Sequence, residues 1–445
     1  MSDLPASDTI FALSSGRGRA GVAVIRISGP LSASVLSQIS GCVPSPRQAA
    51  VCHLSDPASG EPLDDALVLF FKGPASFTGE DITELHLHGG IAVIEGVLAT
   101  LSSMRGLRAA EPGEFARRAF QNGKIDLTQA EGLADLIEAE TSAQRRQALS
   151  SSSGSLKALC DEWRTDIIKA ASMVEAAIDF SDEADVPQLI ENQALPVVTR
   201  LAQTISSYVE TANRGERVRD GVRVVLAGAP NAGKSSLLNM LSRRDVAIIS
   251  GEAGTTRDVL EVHLDLDGYP VVLMDTAGVR EASGEVEREG IRRTLERARE
   301  ADLVLWLIDA NHPVPDAPDE IVSGSAATLR VLNKIDLTSA SSQEYDLAIS
   351  VKTGDGIPAL LDVIAERASD LLEAGEPAVV TRVRQRRELE SCVAALGSFV
   401  RGDASALELR AEDLRIAAHA LGRVTGAVDV EDILDRIFGD FCIGK

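Results

Sequence analysis

The sequence predicts an α/β protein combined with all-α segments, and three changes in the pattern of apolar and turn residues along the chain support this prediction. Residues 1–120 alternate short β-rich runs with Gly and Pro turns, which is typical of a compact α/β domain. Residues 121–218 and 374–445 carry apolar residues at helical spacing. Residues 219–373 alternate apolar strands with helical patterns, which predicts a mostly parallel sheet with helices on both faces. We therefore expect one helical domain split in sequence, with an α/β domain inserted into it; two separate helical domains are the alternative.

The individual elements follow from local pattern. In the N-terminal segment the β-rich runs are Val22–Ile27, Ala66–Phe71 and Glu84–His88. In the inserted segment the apolar strands are Val222–Ala227, Val271–Met274, Leu303–Ile308, Thr328–Leu332 and Leu347–Ile349. Residues 150–155 are rich in Ser with one Gly, so they fit either a linker or a helix of small residues.

Length and composition limit the class of protein. The chain has 445 residues, enough for about two to four domains, and its 44% apolar and 25% charged residues are usual for a folded protein. The longest apolar runs fall far short of the roughly 20 residues that cross a bilayer. The N-terminus lacks the pattern of a secretory signal, and the five cysteines are few and far apart. We expect a cytoplasmic chain with reduced thiols and no membrane partner.

The charge balance bears on possible partners. The chain carries 67 acidic and 44 basic residues, a formal net charge of −23, which argues against indiscriminate binding of polyanions. Net charge is a sum over the whole chain, however, and a basic patch can lie on an acidic protein. Between residues 9 and 55 there are arginines but no acidic residue, and residues 382–387 hold four arginines. A nucleic-acid partner therefore has to be argued locally.

The strongest motif is Gly228-Ala-Pro-Asn-Ala-Gly-Lys-Ser235, which follows a predicted strand and opens a predicted helix. Its glycines allow backbone N–H groups to surround a phosphate, and the helix N-terminus adds positive potential. Lys234 would reach the β- and γ-phosphates, and Ser235 would place a hydroxyl on Mg²⁺. The motif therefore predicts a phosphate-binding loop.

Two further motifs follow strand ends in the order found in Ras-type GTPases. Asp275-Thr-Ala-Gly278 would hold Mg²⁺ through water and meet the γ-phosphate. In Asn333-Lys-Ile-Asp336, the carboxylate would accept two hydrogen bonds from guanine, a pair that adenine does not offer, so the motif selects GTP over ATP. Lys334 would lie along the base, and Asn333 would tie this loop to the phosphate loop. Ser350-Val-Lys352 would offer backbone N–H groups to the guanine O6.

The segment Gly254-Thr-Thr-Arg-Asp258 supplies a switch loop, with Thr256 as the second protein oxygen on Mg²⁺. Val279 stands where Ras-type enzymes carry a water-orienting Gln, and a valine side chain cannot position water. Hydrolysis must therefore use another group or be very slow, and candidates lie in the polar stretch 280–289.

Over essentially its whole length the chain resembles the bacterial tRNA modification GTPases of the MnmE (TrmE) family. The resemblance rests on motifs far more specific than the GTPase motifs alone. These motifs are Asp8-Thr-Ile10, the run 18–29, Ser76-Phe-Thr-Gly-Glu-Asp81 with His88-Gly-Gly90, Arg108 through Phe115, Asn231, Gly254 through Asp258, and Phe441-Cys-Ile-Gly-Lys445. It implies an N-terminal α/β domain that binds a tetrahydrofolate and forms a homodimer, a helical domain split in sequence, and an inserted Ras-like P-loop GTPase domain.

The resemblance also implies site residues. The folate, as a 5-formyl or 5,10-methylene derivative, would contact Arg26, Glu84, Lys124 and Lys445. Potassium would activate hydrolysis when two GTPase domains meet, held by the Asn231 side chain and by loop groups at Ser250, Glu252 and Thr255. Glu287 matches the family's catalytic glutamate, which answers the missing Gln; without the resemblance it reads as an exposed glutamate in a first helical turn. The expected GTP-binding residues are Asn231, Ala232, Gly233, Lys234, Ser235, Ser236, Ser250, Thr255, Thr256, Asp275, Thr276, Ala277, Gly278, Asn333, Lys334, Asp336, Ser350, Val351 and Lys352.

The implied activity is GTP hydrolysis, with Glu287 and Lys234 as catalytic residues. It would be coupled to placing a carboxymethylaminomethyl or aminomethyl group on C5 of the wobble uridine (position 34) of certain tRNAs. The implied partners are tRNA and the FAD-dependent protein MnmG (GidA), with FAD present only through that partner. The alternative is a ribosome-assembly or signalling GTPase switch without modifying activity. Cys442 is a possible catalytic thiol, although cysteines more often pack, and the pair His86 and His88 alone is a weak metal site.

Overall fold

The computed structural model describes residues 8–16, 18–179, 190–244, 246–248, 261–275, 298–312, 321, 326–337, 345–373, 379–403, 406–428, 431–439, 441 and 443–444. By its internal contacts the chain forms two compact units. One consists of residues 1–134 together with 421–445, and the other of residues 135–420. The boundaries 120, 218 and 373 predicted from the sequence stay a prediction.

The first unit is built on a six-stranded mixed sheet in the order β3-β4-β5-β2-β1-β6. Its β1–β6 pair is parallel, and its other neighbouring pairs are antiparallel. The strands are β1 (Thr9–Leu13), β2 (Ala20–Ser28), β3 (Ala50–Ser55), β4 (Pro62–Phe71), β5 (Ile82–Gly89) and β6 (Leu107–Ala109). The helices of this unit are α1 (Ser32–Ser40), α2 (Ile91–Ser103), α3 (Glu114–Gln121) and, after the second unit, α12 (Glu431–Gly439).

Alternation along the strands positions the core of the first unit. In β4, Ala66, Val68 and Phe70 are buried while the residues between them are more exposed, as expected of a strand that covers a core with one face. Helices α1 and α2 contribute Leu36 and Leu101 to the same core. The predicted strands in this segment lie within β2, β4 and β5, whereas the sequence pattern did not identify β1, β3 or β6.

A buried ion cluster lies at the start of α3. Glu114 is 2% exposed and accepts hydrogen bonds from Arg108 (2.6 Å) and Arg118 (2.9 Å). Burial opposes ionisation of Glu114, but these hydrogen bonds and the Glu111 backbone amide hold the pKa of the Glu114 carboxyl below its usual value. Arg118 also contacts Glu80 (3.1 Å). The cluster joins α3 to the 76–81 loop, so it stabilises two of the motifs that carry the family resemblance.

The C-terminal residues complete the first unit. Ile443 forms an isolated β-bridge with Pro112, and the Ser14 hydroxyl donates to the Gly444 carbonyl (2.8 Å). A Cβ atom on Gly113, which has φ 64°, would lie 2.4 Å from the Phe438 carbonyl oxygen. The close approach of α12 to this turn therefore requires glycine. Periodicity and composition gave no sign of this packing, but the family resemblance implied it by placing Lys445 with Arg26 and Glu84 at one ligand.

The second unit combines helices with a second six-stranded sheet. Its helices are α5 (Ser142–Ser152), α6 (Ser155–Asp179), α7 (Leu195–Asp220), α8 (Lys234–Leu241), α9 (Ile357–Glu373) and α10 (Val383–Arg401), with a short π-helix at Ile190–Ala194. Helices α4 (Leu127–Glu138) and α11 (Leu407–Thr425) contain the sequence boundaries between the units. At 150–155 the structure shows a junction between α5 and α6, in which Gly154 turns the chain with φ 89°.

The second sheet has the order β12-β11-β10-β7-β9-β8. Its strands are β7 (Val222–Gly228), β8 (Glu261–Leu266), β9 (Tyr269–Asp275), β10 (Leu303–Asp309), β11 (Ala327–Asn333) and β12 (Leu347–Ala348). All neighbouring pairs are parallel except β8–β9, which confirms the predicted mostly parallel sheet. The central strands β7 and β10 are buried over most of their length, as expected when helices cover both faces.

The described residues contain no helix that is long and apolar enough to span a membrane.

Candidate nucleotide-binding site

The phosphate loop connects β7 to α8, at the carboxyl end of a central parallel strand, which is where ligands bind in open α/β sheets. Gly228 has φ 140°, and a Cβ atom there would lie 2.3 Å from the Leu307 carbonyl oxygen. Gly233 has φ 102°, and its Cβ atom would lie 2.3 Å from Asn333 Nδ2. Both glycines are therefore required by the close approach of β10 and of the last residue of β11, as well as by the backbone conformation.

Lys234 begins α8 and turns back over the loop. Its Nζ donates to the carbonyl oxygens of Gly228 and Ala229, each at 2.9 Å, and the side chain is largely buried. Burial lowers the pKa of the Lys234 ammonium, although the charge of Asp275 raises it. The result is a cation held inside the loop by two neutral acceptors, which a phosphate oxygen can replace.

Two oxygen ligands meet beside the loop. The Ser235 hydroxyl donates to Asp275 Oδ2 at 2.6 Å, and Asp275 ends β9, the parallel neighbour of β7. Asp275 is 3% exposed. A hydroxyl in the first turn of α8 and a carboxylate at the carboxyl end of β9 are the hard oxygen donors that Mg²⁺ takes next to nucleotide phosphates. The chemistry of this pair fits that ion.

Asn333 joins three segments. It ends β11 and is 1% exposed. Its Nδ2 donates to the carbonyl oxygen of Ala232 in the phosphate loop at 2.8 Å. Its Oδ1 accepts from the backbone N–H groups of Lys334 (2.8 Å) and Val351 (3.2 Å). The sequence predicted that Asn333 ties the base loop (residues 333–336) to the phosphate loop (residues 228–235). This contact is present, and Asn333 also contacts the segment after β12.

The Lys334 ammonium group also connects the base loop to the phosphate loop. Its Nζ donates to the Asn231 carbonyl oxygen (2.8 Å) and to Asp309 Oδ2 (2.7 Å). Burial opposes ionisation of Asp309, but hydrogen bonds from Lys334 and from the Asn311 amide hold the pKa of the Asp309 carboxyl below its usual value. Asp309 belongs to none of the sequence motifs. Its signal is positional, because it ends β10 at the same edge of the sheet as Asp275 and Asn333.

A hydrogen bond from Ser350 orients the Asp336 carboxylate. The sequence predicted only a backbone contribution from this serine. The Ser350 hydroxyl donates to Asp336 Oδ1 at 2.7 Å, and Ser350 is fully buried. Lys352 Nζ lies 4.0 Å from Asp336 Oδ2. The carboxylate is thus fixed on one oxygen while the other faces a cation, an orientation suited to accepting hydrogen bonds from a planar donor pair.

Several expected site residues lie outside the described residues. They are Ser250, Glu252, Thr255, Thr256, Thr276, Ala277, Gly278, Glu287, Cys442 and Lys445. The structure therefore brings together the phosphate loop, Asp275, Asn333, Lys334, Asp336 and the 350–352 segment. The switch and potassium-loop residues stay predictions.

In the first unit, the residues implied for folate binding occupy neighbouring strands and a loop. Arg26 on β2 faces Glu84 on β5 in register, and Nε and Nη2 both donate to Glu84 Oε1, at 3.0 and 2.9 Å. The Arg26 guanidinium carbon lies 5.7 Å from the ring centroids of Phe77 and Phe115. The pair thus combines a cation, a carboxylate and aromatic faces.

Lys124 holds the loop between β4 and β5. Its Nζ donates to the Pro74 carbonyl oxygen at 2.9 Å, and its Cγ would lie 3.4 Å from a Cβ atom on Gly79. Asn122 donates to the Thr78 carbonyl at 2.7 Å in the same region. Lys124 therefore contacts the 74–79 loop that carries the Ser76-Phe-Thr-Gly motif.

The two histidines of β5 each lie beside a carboxylate. His88 Nδ1 contacts Asp64 at 2.7 Å, and His86 Nε2 lies 3.6 Å from Glu84. Within the part of the chain that the structure describes, no group of three or more His, Cys, Asp or Glu could hold a metal ion.

Two of the four arginines of 382–387 pair with carboxylates of the second unit. Arg382 donates to Asp135 at 2.6 Å, and Arg386 donates to Glu216 at 2.8 Å. These guanidinium groups neutralise the chain's own carboxylates, which weakens the case for this segment as a binding patch for a polyanion.

Comparisons with known proteins identify the family. A family model described as the MnmE helical domain matches residues 127–442, and one described as the GTP-binding protein TrmE N-terminus matches residues 9–124. The tRNA modification GTPase MnmE of Parvibaculum lavamentivorans is 50% identical over 444 residues, covering 98% of this chain and 100% of that protein. The chain belongs to the MnmE family. Family membership confirms the resemblance seen in the sequence and the prediction of a GTPase.

Other MnmE proteins match to the same extent. Those of Brucella anthropi and Methylobacterium radiotolerans are each 51% identical, covering 98% and 99% of this chain and 98% and 99% of their own lengths. Among solved structures, the G domain of the T. maritima FeoB iron transporter is 25% identical, covers 33% of this chain and 98% of its own, and gives a TM-score of 0.26. That overlap is too small to add to the fold argued above from strands and motifs.

We expect Asp336→Asn to weaken GTP binding by about 100-fold or more, because an amide in place of the carboxylate offers one acceptor where guanine needs two, and hydrogen bonds to charged groups are worth about 1.5–3 kcal/mol each. Titration of a fluorescent GTP analogue measures the change. Asp362→Asn, an exposed carboxylate on α9, is the matched control and should leave affinity unchanged. Equal affinity of Asp336→Asn and the parent chain would contradict the assignment of the base loop.

Proposed function

We propose that this MnmE-family chain binds and hydrolyses GTP as part of tRNA modification. In this proposal, the reaction places a carboxymethylaminomethyl or aminomethyl group on C5 of the wobble uridine, position 34, of certain tRNAs. The single observation that carries the GTPase part is the meeting of the phosphate loop and the base loop through Asn333, whose side chain contacts both. The tRNA part is supported by the relatives at about 50% identity, which are named for that role.

Guanine selection follows from the base loop. Asp336 accepts from N1–H and the exocyclic amine of guanine, while adenine presents no such pair of donors. Lys334 has φ 67° and reaches across to Asn231, so its stem lies along the base plane. Two of the three backbone N–H groups in 350–352 already have acceptors: that of Val351 donates to Asn333 Oδ1, and that of Ser350 donates to the Asp355 carbonyl oxygen. We therefore assign the backbone N–H of Lys352 to the guanine O6.

The phosphates lie over the loop, where Lys234 exchanges its two carbonyl acceptors for β- and γ-phosphate oxygens. Mg²⁺ would be held by Ser235 and Thr256, with Asp275 contacting it through water; the ion would neutralise phosphate charge. Ser235 and Asp275 already face each other at 2.6 Å, so the protein orients these ligands before the ion binds.

Val279 occupies the position of the water-orienting Gln of Ras-type enzymes, so other groups have to act in its place. We assign this part to potassium and Glu287. Asn231 has φ 64° and stands exposed in the loop, with its backbone carbonyl held by Lys334. That conformation leaves its side-chain oxygen available beside the phosphate site. A bound K⁺, completed by the loop at 250–255, would supply positive charge near the bridge between the β- and γ-phosphates. Glu287 would orient the attacking water.

A reduced folate would supply the one-carbon unit. The Arg26–Glu84 pair offers a cation for folate carboxylates and a carboxylate for the pterin ring, and Phe77 and Phe115 offer flat apolar faces. These side chains therefore fit the chemistry of such a ligand. Lys124 and Lys445 would add positive charge for its glutamate tail.

The chain would act in the cytoplasm as a homodimer with the FAD-dependent protein MnmG, which brings FAD. Because Arg382 and Arg386 are paired with carboxylates, as Arg26 is in the stretch before residue 55, the partner is the better candidate for holding tRNA. An overall charge of −23 does not oppose GTP binding, because backbone N–H groups and Lys234 form the phosphate site.

The potassium mechanism predicts that GTP hydrolysis is faster in K⁺ than in Na⁺ at equal ionic strength, by about 10-fold or more, since a charge near the transferred phosphoryl group lowers the barrier. Asn231→Ala should abolish the difference. Asn239→Ala, an exposed asparagine on α8, should keep it. Equal rates of the parent chain in the two salts would contradict the mechanism.

The folate assignment predicts measurable heat when 5-formyltetrahydrofolate is titrated into the intact chain in a calorimeter. Arg26→Gln should weaken binding about 10-fold or more, because a charged hydrogen-bond donor is lost. Arg105→Gln, an exposed arginine of the same unit, is the matched control. Absence of heat with the parent chain would count decisively against the folate site, and it would leave the GTPase proposal untouched.

A further inference from the structure

Two cysteines of the first unit lie against each other. Cys42 Sγ and Cys52 Sγ are 2.7 Å apart, and both are free thiols in the structure. Cys42 is exposed, whereas Cys52 is 7% exposed and faces the core from β3. A disulfide has an S–S distance of about 2.05 Å, so the two sulfur atoms need to approach by only about 0.7 Å.

The local backbone holds Cys42 in this position. Gly41 ends α1 with φ 71°, and its N–H donates to the Ser37 carbonyl at 2.9 Å. The Ser40 hydroxyl donates to the Cys42 carbonyl at 2.8 Å and lies 3.9 Å from Cys42 Sγ. The turn after α1 therefore directs the thiol toward β3.

The chain between the two cysteines is also anchored. Arg47 donates its backbone N–H to the Phe70 carbonyl at 2.8 Å and its guanidinium to the Ala75 carbonyl at 2.6 Å. The Arg47 guanidinium lies 5.9 Å from the Phe71 ring centroid. The loop 43–51 is thus already closed by contacts to β4, so a covalent bond across its ends requires little change of the fold.

We propose that Cys42 and Cys52 form a reversible disulfide, a thiol–disulfide modification site whose co-reactant is a small disulfide such as oxidised glutathione. Metal binding is the other chemistry open to two thiols, but within the described residues no third His, Cys, Asp or Glu completes a site. In a reducing compartment such a bond is transient and reports redox state.

The chemistry proceeds in two balanced steps. The Cys42 thiolate attacks the small disulfide, forming a mixed disulfide and releasing one thiolate. Cys52 Sγ then attacks Cys42 Sγ, gives up its proton and releases the second thiolate. Two protein thiols are oxidised, and one small disulfide is reduced to two thiols. Burial and the hydrogen bond to Cys42 raise the pKa of the Cys52 thiol to about 11, so the exposed Cys42 makes the first attack.

The test is a disulfide map of the reduced full-length chain after exposure to oxidised glutathione, with free thiols then blocked by N-ethylmaleimide. Trypsin cleaves after Arg47, between the two cysteines, and gives peptides 27–47 and 48–72. The proposal predicts that these peptides appear as a linked pair by mass spectrometry and separate on reduction. Cys42 carrying glutathione while Cys52 is blocked, or both cysteines blocked, would overturn it.

Two variants sharpen the result. Cys52→Ser should leave glutathione stably bound to Cys42, because the second thiol is missing; a Cys42 that takes up no glutathione in this variant would contradict the order of attack. Cys392→Ala removes a buried cysteine of the other unit and should give the same linked pair as the parent chain. If Cys52→Ser does not fold, the map of the parent chain decides alone.

Discussion

The nucleotide site depends on one buried side-chain amide. Asn333 donates to the phosphate loop at Ala232 and accepts from the backbone at Lys334 and Val351. An amide can do this because it carries a donor and an acceptor on one rigid plane, and at 1% exposure its hydrogen bonds meet no competition from water. Its Nδ2 also lies 2.3 Å from the place of a Cβ on Gly233, so the asparagine leaves room only for glycine at that point of the phosphate loop.

The charged side chains around this amide have hydrogen-bond partners within the protein. Lys334 pairs with Asp309, Lys234 lies against two carbonyl oxygens, and Asp275 accepts from Ser235. Each charged group therefore has a partner without nucleotide, and a bound phosphate or base exchanges one polar contact for another. This explains how a chain with a net charge of −23 offers an anion site: backbone N–H groups and one buried ammonium set the potential there, and the distant surface charge is screened.

Much of this was accessible from the sequence. Apolar runs that alternate with helical patterns predicted most strands of the second sheet. The motifs at the ends of these runs placed Asp275, Asn333 and Asp336 at its carboxyl edge, because parallel strands all end there. Short edge strands such as β6 were not accessible, since they depend on pairing between distant segments. The packing of residues 443–444 in the first unit was implied by the family resemblance alone. Asp309 and the Cys42–Cys52 contact were missed because neither belongs to a local motif.

The most direct test of the account is the GTP affinity of Asn333→Ala. The substitution leaves the Ala232 carbonyl and the Val351 amide without their buried partner, a loss worth about 1–3 kcal/mol, so we expect affinity to fall about 10- to 100-fold. Asn239→Ala, exposed on α8, should bind GTP as the parent chain does. Unchanged affinity in Asn333→Ala would contradict the claim that this amide holds the phosphate loop and the base loop together.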